Sequence, residues 1–347
     1  MTTRAFFRLS LGAVGLTLLV VLLGAWVRLE DAGLGCPDWP GCYGMLLGVP
    51  QTPEAIAAAN EAYPERAVEV DKAWKEMIHR YAAGILGLIV FALAVMAVRN
   101  RHRPGQPFKL PLFLGVLIIA QSILGMWTVT WQLKPMVVTM HLLGGMTTLG
   151  LLWWLTLRQG RFLRPDTPEP AARSLQSWAL LILVLVTGQI ALGGWVSTNY
   201  AALACTDFPT CQGQWVPDAD YGEAFVLWRG LGVDYEFGVL DHPARVAIQF
   251  VHRIGAVVVA IAVLGLLLAV WRRAAGTVSA KIAGFMAVAL VLQWLLGIGN
   301  VLYSLPLWMA VAHNGGAALL LLSVIALCHS LRPLETRDGQ APIRATT

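Results

Sequence analysis

"KEMIHRYAAG", residues 75–84, opens a run of apolar residues long enough to cross a membrane, yet carries Glu76, His79 and Arg80 within five positions. Further along, "IQFVHRIGAV" (248–257) repeats the His-Arg pair as His252 and Arg253. There Gln249 stands in the place of Glu76. One copy has an acid and the other its neutral near-isostere. Polar groups are costly inside a bilayer and default to function there, so the difference between the copies is where the chemistry is expected.

The chain has 347 residues, of which 57% are hydrophobic and only 13% charged. A water-soluble domain of this length carries about twice that charge. Runs of about 20 apolar residues read as membrane-spanning helices. Eight are expected, over 9–28, 76–98, 111–131, 136–157, 177–198, 245–270, 281–303 and 307–330. The sequence therefore predicts an all-α integral membrane protein.

The net charge of +5 is no signal for nucleic acid, because the basic residues occupy particular connections. Arg4 and Arg8 precede the first span; Arg99, Arg101, Arg103 and Lys109 lie between the second and third. Arg158, Arg161, Arg164 and Arg173 follow the fourth, Arg272, Arg273 and Lys281 the sixth, and Arg332 and Arg337 the eighth. With eight spans these segments share one side, which the positive-inside rule makes cytoplasmic, together with both termini. The other side has two long connections, 29–75 and 199–244, and four of the five cysteines fall there as Cys36/Cys42 and Cys205/Cys211. That is the side on which disulfides persist. The fifth, Cys328, reads as a small buried apolar residue. The first span lacks a small-residue cleavage site and reads as retained, and no Arg- and Ser-rich transit peptide precedes it. A multi-pass protein of the bacterial cell (inner) membrane is expected.

The chain is also duplicated. "GAWVRLEDAGLGCPDWPGCYG" (24–44) aligns with "GGWVSTNYAALACTDFPTCQG" (193–213), sharing C-x-D-x-P-x-C. Gln121 and Gly125 match Gln293 and Gly297, each Gln 20 residues before a histidine, His141 or His313. Four spans per half bring both halves in from the same side, related by an axis along the membrane normal. Two pseudo-symmetric four-helix bundles are expected: a first half over 1–160, a polar three-proline linker over 161–176, a second half over 177–332 and a disordered tail over 333–347.

The even-numbered spans run in the same direction, and His79, His141, His252 and His313 all fall near their outer ends. One histidine in a span is as readily a helix-to-helix hydrogen bond as a ligand. Four at matched depth, in two repeat-related pairs, point instead to bis-histidine metal sites. Two facing imidazoles suit a haem iron. A bare zinc or copper ion wants a third or fourth ligand nearby, and the second pair has none in its spans at that depth. Gly144, Gly145, Gly315 and Gly316 are read as making room for the porphyrin. Arg80 and Arg253 are candidates to pair with haem propionates, or else snorkel to headgroups. His102 and His242 read as loop residues, and His329 lies at the opposite face. Glu76, one turn before His79, shares its face and is placed as a general base. An acid at a helix N-terminus is also favoured by the dipole, but Gln249 occupies the same dipole without a charge.

With these residues assembled, the sequence resembles the haem A synthases, membrane enzymes of cytochrome oxidase assembly. The resemblance covers nearly all of 5–332 and rests on "EMIHRYAAG", "QSILGMWTV", "VTMHLLGG", "IQFVHRIGA" and "WMAVAHNGG" with the doubled cysteine loops. It implies an oxidoreductase that converts the C8 methyl of haem O to a formyl group, giving haem A. That conversion removes four electrons and adds one oxygen, through successive hydroxylations and loss of water from a gem-diol. Carried over by position, Glu76 is catalytic, His79 and His141 ligate the substrate haem O, and His252 and His313 ligate a haem b. The resemblance further implies Cys36–Cys42 and Cys205–Cys211 disulfides, each closing a short loop that reads as a structural lid and stabilises by roughly 2.4 kcal/mol through chain entropy. The partners it implies are haem O, membrane lipid, a haem O synthase that delivers the substrate, and cytochrome oxidase assembly factors. The residues by themselves leave other functions open: a bis-haem b membrane electron carrier linked to quinol, a thiol oxidase working through the cysteine loops, or a transporter. Segment 51–75, rich in alanine and glutamate, is expected to form a short external helix or two, broken near Pro64.

Overall fold

A computed structural model of the chain describes residues 2–103, 105–160, 163 and 174–332. In it, α1 (Thr2–Leu29), α3 (Val70–Arg99), α4 (Lys109–Thr130), α5 (Pro135–Gln159), α6 (Gln176–Thr198), α8 (His242–Arg273), α9 (Val278–Leu302) and α10 (Leu307–Ser330) are the eight helices long and apolar enough to span a membrane. Two short helices, α2 (Pro53–Ala62) and α7 (Tyr221–Ala224), lie in the long connections. The described residues form helices without any strand, as expected for backbone that must satisfy its own hydrogen bonds in lipid. Each span falls within a few residues of its expected position. The exceptions are the starts of α1 and α3, which begin seven and six residues early. At 30 and 32 residues, α3 and α8 run about 45 and 48 Å, well beyond a hydrocarbon core of about 30 Å. Their first turns therefore project out of the membrane and meet the cysteine loops. His242, read as a loop residue, is accordingly the first residue of α8. Most of the linker 161–176 and the whole tail 333–347 lie outside the described residues.

The duplication reaches the backbone. The left-handed residues Asp31, Tyr43, Gln132 and Leu133 recur as Tyr200, Gln212, Ser304 and Leu305 at the equivalent turns. In the first half α1 packs on α3 and α5, with α4 closing the ring; α6, α8, α9 and α10 repeat the arrangement. The halves meet through α1 and α5 on one side and α6 and α10 on the other. Their shared core is made of Leu149, Leu152 and Leu155 with Leu321, Val324 and Ile325. The crossing of α5 and α10 is close because Gly150 has no side chain; a Cβ there would lie 2.8 Å from Ile325 Cδ1. Small residues at such crossings let membrane helices approach.

Outside the membrane the second half reaches over the first. Tyr235 N–H donates to Gln132 O across 3.1 Å, and Arg66 pairs with Glu236 at 2.6 Å. Lys134, only 1% exposed, donates its ammonium to the carbonyls of Arg229 and Gly230 and sits 3.7 Å from the centre of the Trp228 ring. A buried cation is tolerable only with such partners. Lys134→Met is expected to leave two carbonyls short of a donor, weakening this strap by about 1–3 kcal/mol. Hydrogen exchange over residues 228–238 should rise while exchange in the spans stays unchanged.

Candidate functional site

The two cysteine loops are built alike. Cys36–Cys42 and Cys205–Cys211 are both disulfide-bonded, and Cys328 is free and buried. The aspartate of C-x-D-x-P-x-C clamps each loop from inside. Asp38 accepts from the amides of Tyr43 and Gly44 at 2.6 and 2.8 Å, and Asp207 from those of Gln212 and Gly213 at 2.6 and 2.9 Å. The Thr210 hydroxyl also donates to Asp207, and with these amides it holds the carboxyl down at about 2. The clamp therefore persists far below neutral pH.

Each loop docks on the outer end of a long helix through the residue that differs between the halves. Glu76, 5% exposed, accepts the Cys36 amide at Oε2 (2.9 Å) and the Arg80 guanidinium at Oε1 (2.5 Å). Arg80 continues to the carbonyls of Asp38, Pro40 and Gly41. In the second half Gln249 accepts the Cys205 amide at Oε1 (2.6 Å) and donates from Nε2 to Ala202 O (2.7 Å). Arg253, with an amide where Arg80 has an acid one turn before it, donates to the loop carbonyls of Cys205 and Thr210. The amide does the docking alone. The carboxylate does the docking and also holds a charge and a proton site next to His79.

The four histidines occupy matched seats. His79 is the tenth residue of α3, His252 the eleventh of α8, and His141 and His313 the seventh of α5 and α10. Each pair is close enough for one ring to act electrostatically on the other. Each imidazole lies in a notch on a neighbouring helix where a glycine leaves space. A Cβ at Gly24, Gly125, Gly193 or Gly297 would stand 3.1, 3.3, 3.2 or 3.0 Å from Cε1 of His79, His141, His252 or His313. The buried Nδ1 atoms of His79, His141 and His313 complete no hydrogen bond of standard geometry. The carbonyls of Val20, Gln121 and Gln293 nevertheless approach those rings. Each of these residues lies four before the notch glycine, so its carbonyl points along the helix into the notch.

The notches correct one expectation. Gly144 and Gly316, read as room for a porphyrin, are filled by the amides of Gln121 and Gln293, while Gly145 and Gly315 face Val21 and Leu22 of α1. They serve helix contacts, and the glycines beside the imidazoles are a different set. Sequence reading also missed Gln189, whose Nε2 lies 3.1 Å from His252 Nδ1. The first half has Val20 there. His329 packs against Trp154 near the far end of α10, away from the four.

The donor set fits haem and not a bare ion. Among the described residues no group of three or more His, Cys, Asp or Glu side chains converges, whereas a pair of imidazoles is a donor set that a haem iron could take. Three of the partly exposed rings direct a buried Nδ1 at a helix carbonyl, and His252 directs its Nδ1 at the Gln189 amide. Such contacts orient an imidazole for ligation through its other nitrogen, which in His313 lies 3.2 Å from the Gln293 amide.

A family model described as "Cytochrome oxidase assembly protein", COX15-CtaA, matches residues 7–325. The chain belongs to this family. It is 47% identical to a "Heme A synthase" of Shewanella oneidensis over 91% of this chain and 93% of that protein. A "Heme A synthase" of Mesorhizobium japonicum is 31% identical over 87% and 84%, and one of Paracoccus denitrificans 30% over 91% and 85%. The matched stretch includes both cysteine loops and all four histidines.

The second half demonstrates that an amide can seat the loop, so Glu76→Gln is expected to keep the Cys36 hydrogen bond and a thermal midpoint close to the parent's in detergent. Glu76→Ala leaves the Cys36 amide and Arg80 without their acceptor, and should cost about 1–3 kcal/mol. Thermal unfolding of the two variants side by side checks this.

Proposed function

We propose that the chain is a haem A synthase, converting the C8 methyl of haem O to the formyl group of haem A for cytochrome oxidase. The observation that carries this reading is the asymmetry at one position: two otherwise repeated histidine seats, with a buried carboxylate beside His79 and an amide beside His252. The names of the relatives point the same way. In this reading the first half, 1–160, is the reaction domain, and the second, 177–332, holds a resident haem b. His79 and His141 hold the iron of the substrate, and His252 and His313 that of the haem b. A haem b held by His252 and His313 would supply one-electron redox chemistry.

Oxidising a methyl to a formyl group with oxygen from water releases four protons and four electrons. A base beside the substrate is needed for the protons, and Glu76 is placed to take them one at a time. Arg80 and the Cys36 amide fix its two oxygens, so the carboxylate keeps its direction through the cycle. Arg80 and Arg253, each adjacent in sequence to a proposed ligand histidine, are proposed to offer the propionates the N–H donors that the loop carbonyls and Glu76 leave. The disulfide loops are proposed to lie on the periplasmic side of a bacterial inner membrane, with both termini cytoplasmic, consistent with the basic connections. A haem O synthase and cytochrome oxidase assembly factors are the partners this chemistry calls for.

The decisive experiment is to express the chain and its Glu76→Gln variant in cells that make haem O, purify both and separate the extracted haems. The parent should carry haem b with haem O, its hydroxylated form or haem A. The variant, folded as argued above, should retain haem b and accumulate haem O without product. Haem b alone in both proteins would overturn the synthase reading in favour of a membrane electron carrier. A second variant tests the notches. Gly297→Ala brings a methyl group to about van der Waals overlap with the His313 ring and should lower the haem b recovered per protein, with the haem of the first half retained.

A further inference from the structure

Each disulfide loop ends in two large apolar side chains that nothing in the described fold covers. Leu46 and Leu47, just past the Cys42–Met45 bridge, are 74% and 78% exposed. At the equivalent place, just past the Cys211–Gln214 bridge, Trp215 and Val216 are each 73% exposed. Nearby apolar residues behave differently: Tyr43 and Val49 are buried against the first disulfide. The two tips share no residue type, only apolarity and exposure. In water such paired patches are a liability, so the feature calls for a covering surface.

The level of the tips identifies that surface. Gly48 N–H donates to the Tyr81 hydroxyl at 2.7 Å, which ties the first tip to a known position on α3. Counting from Arg99, at the basic end of α3, about 20 residues at 1.5 Å each cross a hydrocarbon core of about 30 Å. The far boundary then falls near Tyr81, at the depth where membrane proteins place tyrosine. Below it, α3 shows Ile85 and Leu88 exposed at helical spacing, a face that meets lipid, and exposed Ile78 continues it one turn above. Leu46 and Leu47 extend that face outward. In the second half, Arg253 holds its loop at the same turn of α8, above exposed Ile254, Val257, Val258 and Ile261.

We propose that the two tips are interfacial prongs that insert into the bilayer leaflet on the disulfide side. Lipid acyl chains and the inner part of the headgroup layer cover them. Each tip is held rigid by its disulfide and aspartate clamp, so insertion orders little that is not already ordered. The first prong fixes at the membrane surface the same loop whose Cys36 amide binds Glu76. This inference rests on loop geometry and exposure, and stands whether or not the chain binds haem.

The test uses the full chain in phosphatidylcholine nanodiscs, with an environment-sensitive fluorescent amino acid placed in turn at position 47, at 216, and at exposed position 61 on α2 as the aqueous control. At 47 and 216, emission should be lost to lipid carrying a nitroxide near the headgroup and should resist aqueous iodide. Position 61 should show the reverse. Quenching of 47 and 216 by iodide would overturn the proposal. So would shielding from both quenchers, which would place a second copy or another protein over the tips. A lipid response at only one of the two would overturn the paired anchor.

Discussion

A carboxylate buried at the outer end of a membrane helix has to be held by donors, and the outer part of this molecule is organised around that requirement. Glu76 draws on the Cys36 amide and Arg80. The first bond seats a disulfide loop on α3, and Arg80 repeats the attachment through three loop carbonyls. The loop, in turn, keeps bulk water from the carboxylate. Remove the acid and the docking survives with an amide, as Gln249 demonstrates. What the amide cannot do is carry a proton at neutral pH. Docking alone therefore does not distinguish the acid from the amide; the acid adds the ion pair with Arg80.

The same comparison separates structure from chemistry elsewhere. Features present in both halves, namely the disulfides, the aspartate clamps, the glycine notches and the left-handed turns, are what each bundle needs to place two imidazoles at a fixed depth. Features present once are Glu76, Val20 where the second half has Gln189, and Ala82 where it has Gly255. Gly255 admits the Gln189 side chain, since a Cβ there would meet its amide. So the second half packs a side-chain amide against His252, and the first half has an apolar residue at that point. The His252 ring is thus held by a side-chain amide where the His79 ring meets a main-chain carbonyl.

Much of this was legible in the sequence, for identifiable reasons. Apolar runs set the spans because lipid offers no alternative partner to the backbone, and the repeat aligned the histidines before any geometry was known. The glycine notches were not legible. Gly24 and Gly193 sit in spans where glycine ordinarily means helix packing, and only the placement of α1 against α3 and α6 against α8 reveals which ring each receives. Gly144 and Gly316 were misread for the same reason, being close in sequence to His141 and His313 but turned toward glutamines. The strap from Lys134 to Arg229 and Gly230 was equally hidden, because a lysine at a loop–helix junction reads as solvated unless the partner carbonyls, about 95 residues away, are known. Local pattern and internal repetition carried the long elements. Contacts between elements carried the rest.

The seating of imidazoles in glycine notches also bears on how the duplicated design could diverge. A notch receives the Cε1 edge of each ring at a glycine, and the ring's Nδ1 meets a helix carbonyl or, at His252, the Gln189 amide. The residue one turn before each α3 or α8 histidine is therefore free to vary in charge, provided it can still accept the loop amide. Glutamate and glutamine both meet that condition, being near-identical in shape. A carboxylate at 76 adds a proton site and an ion pair with Arg80 without moving His79. An amide at 249 releases Arg253 to the loop without moving His252. Because the two requirements are met by different atoms, the two halves can share one backbone while the buried side chain carries oxygen at one terminal position in Glu76 and nitrogen in Gln249.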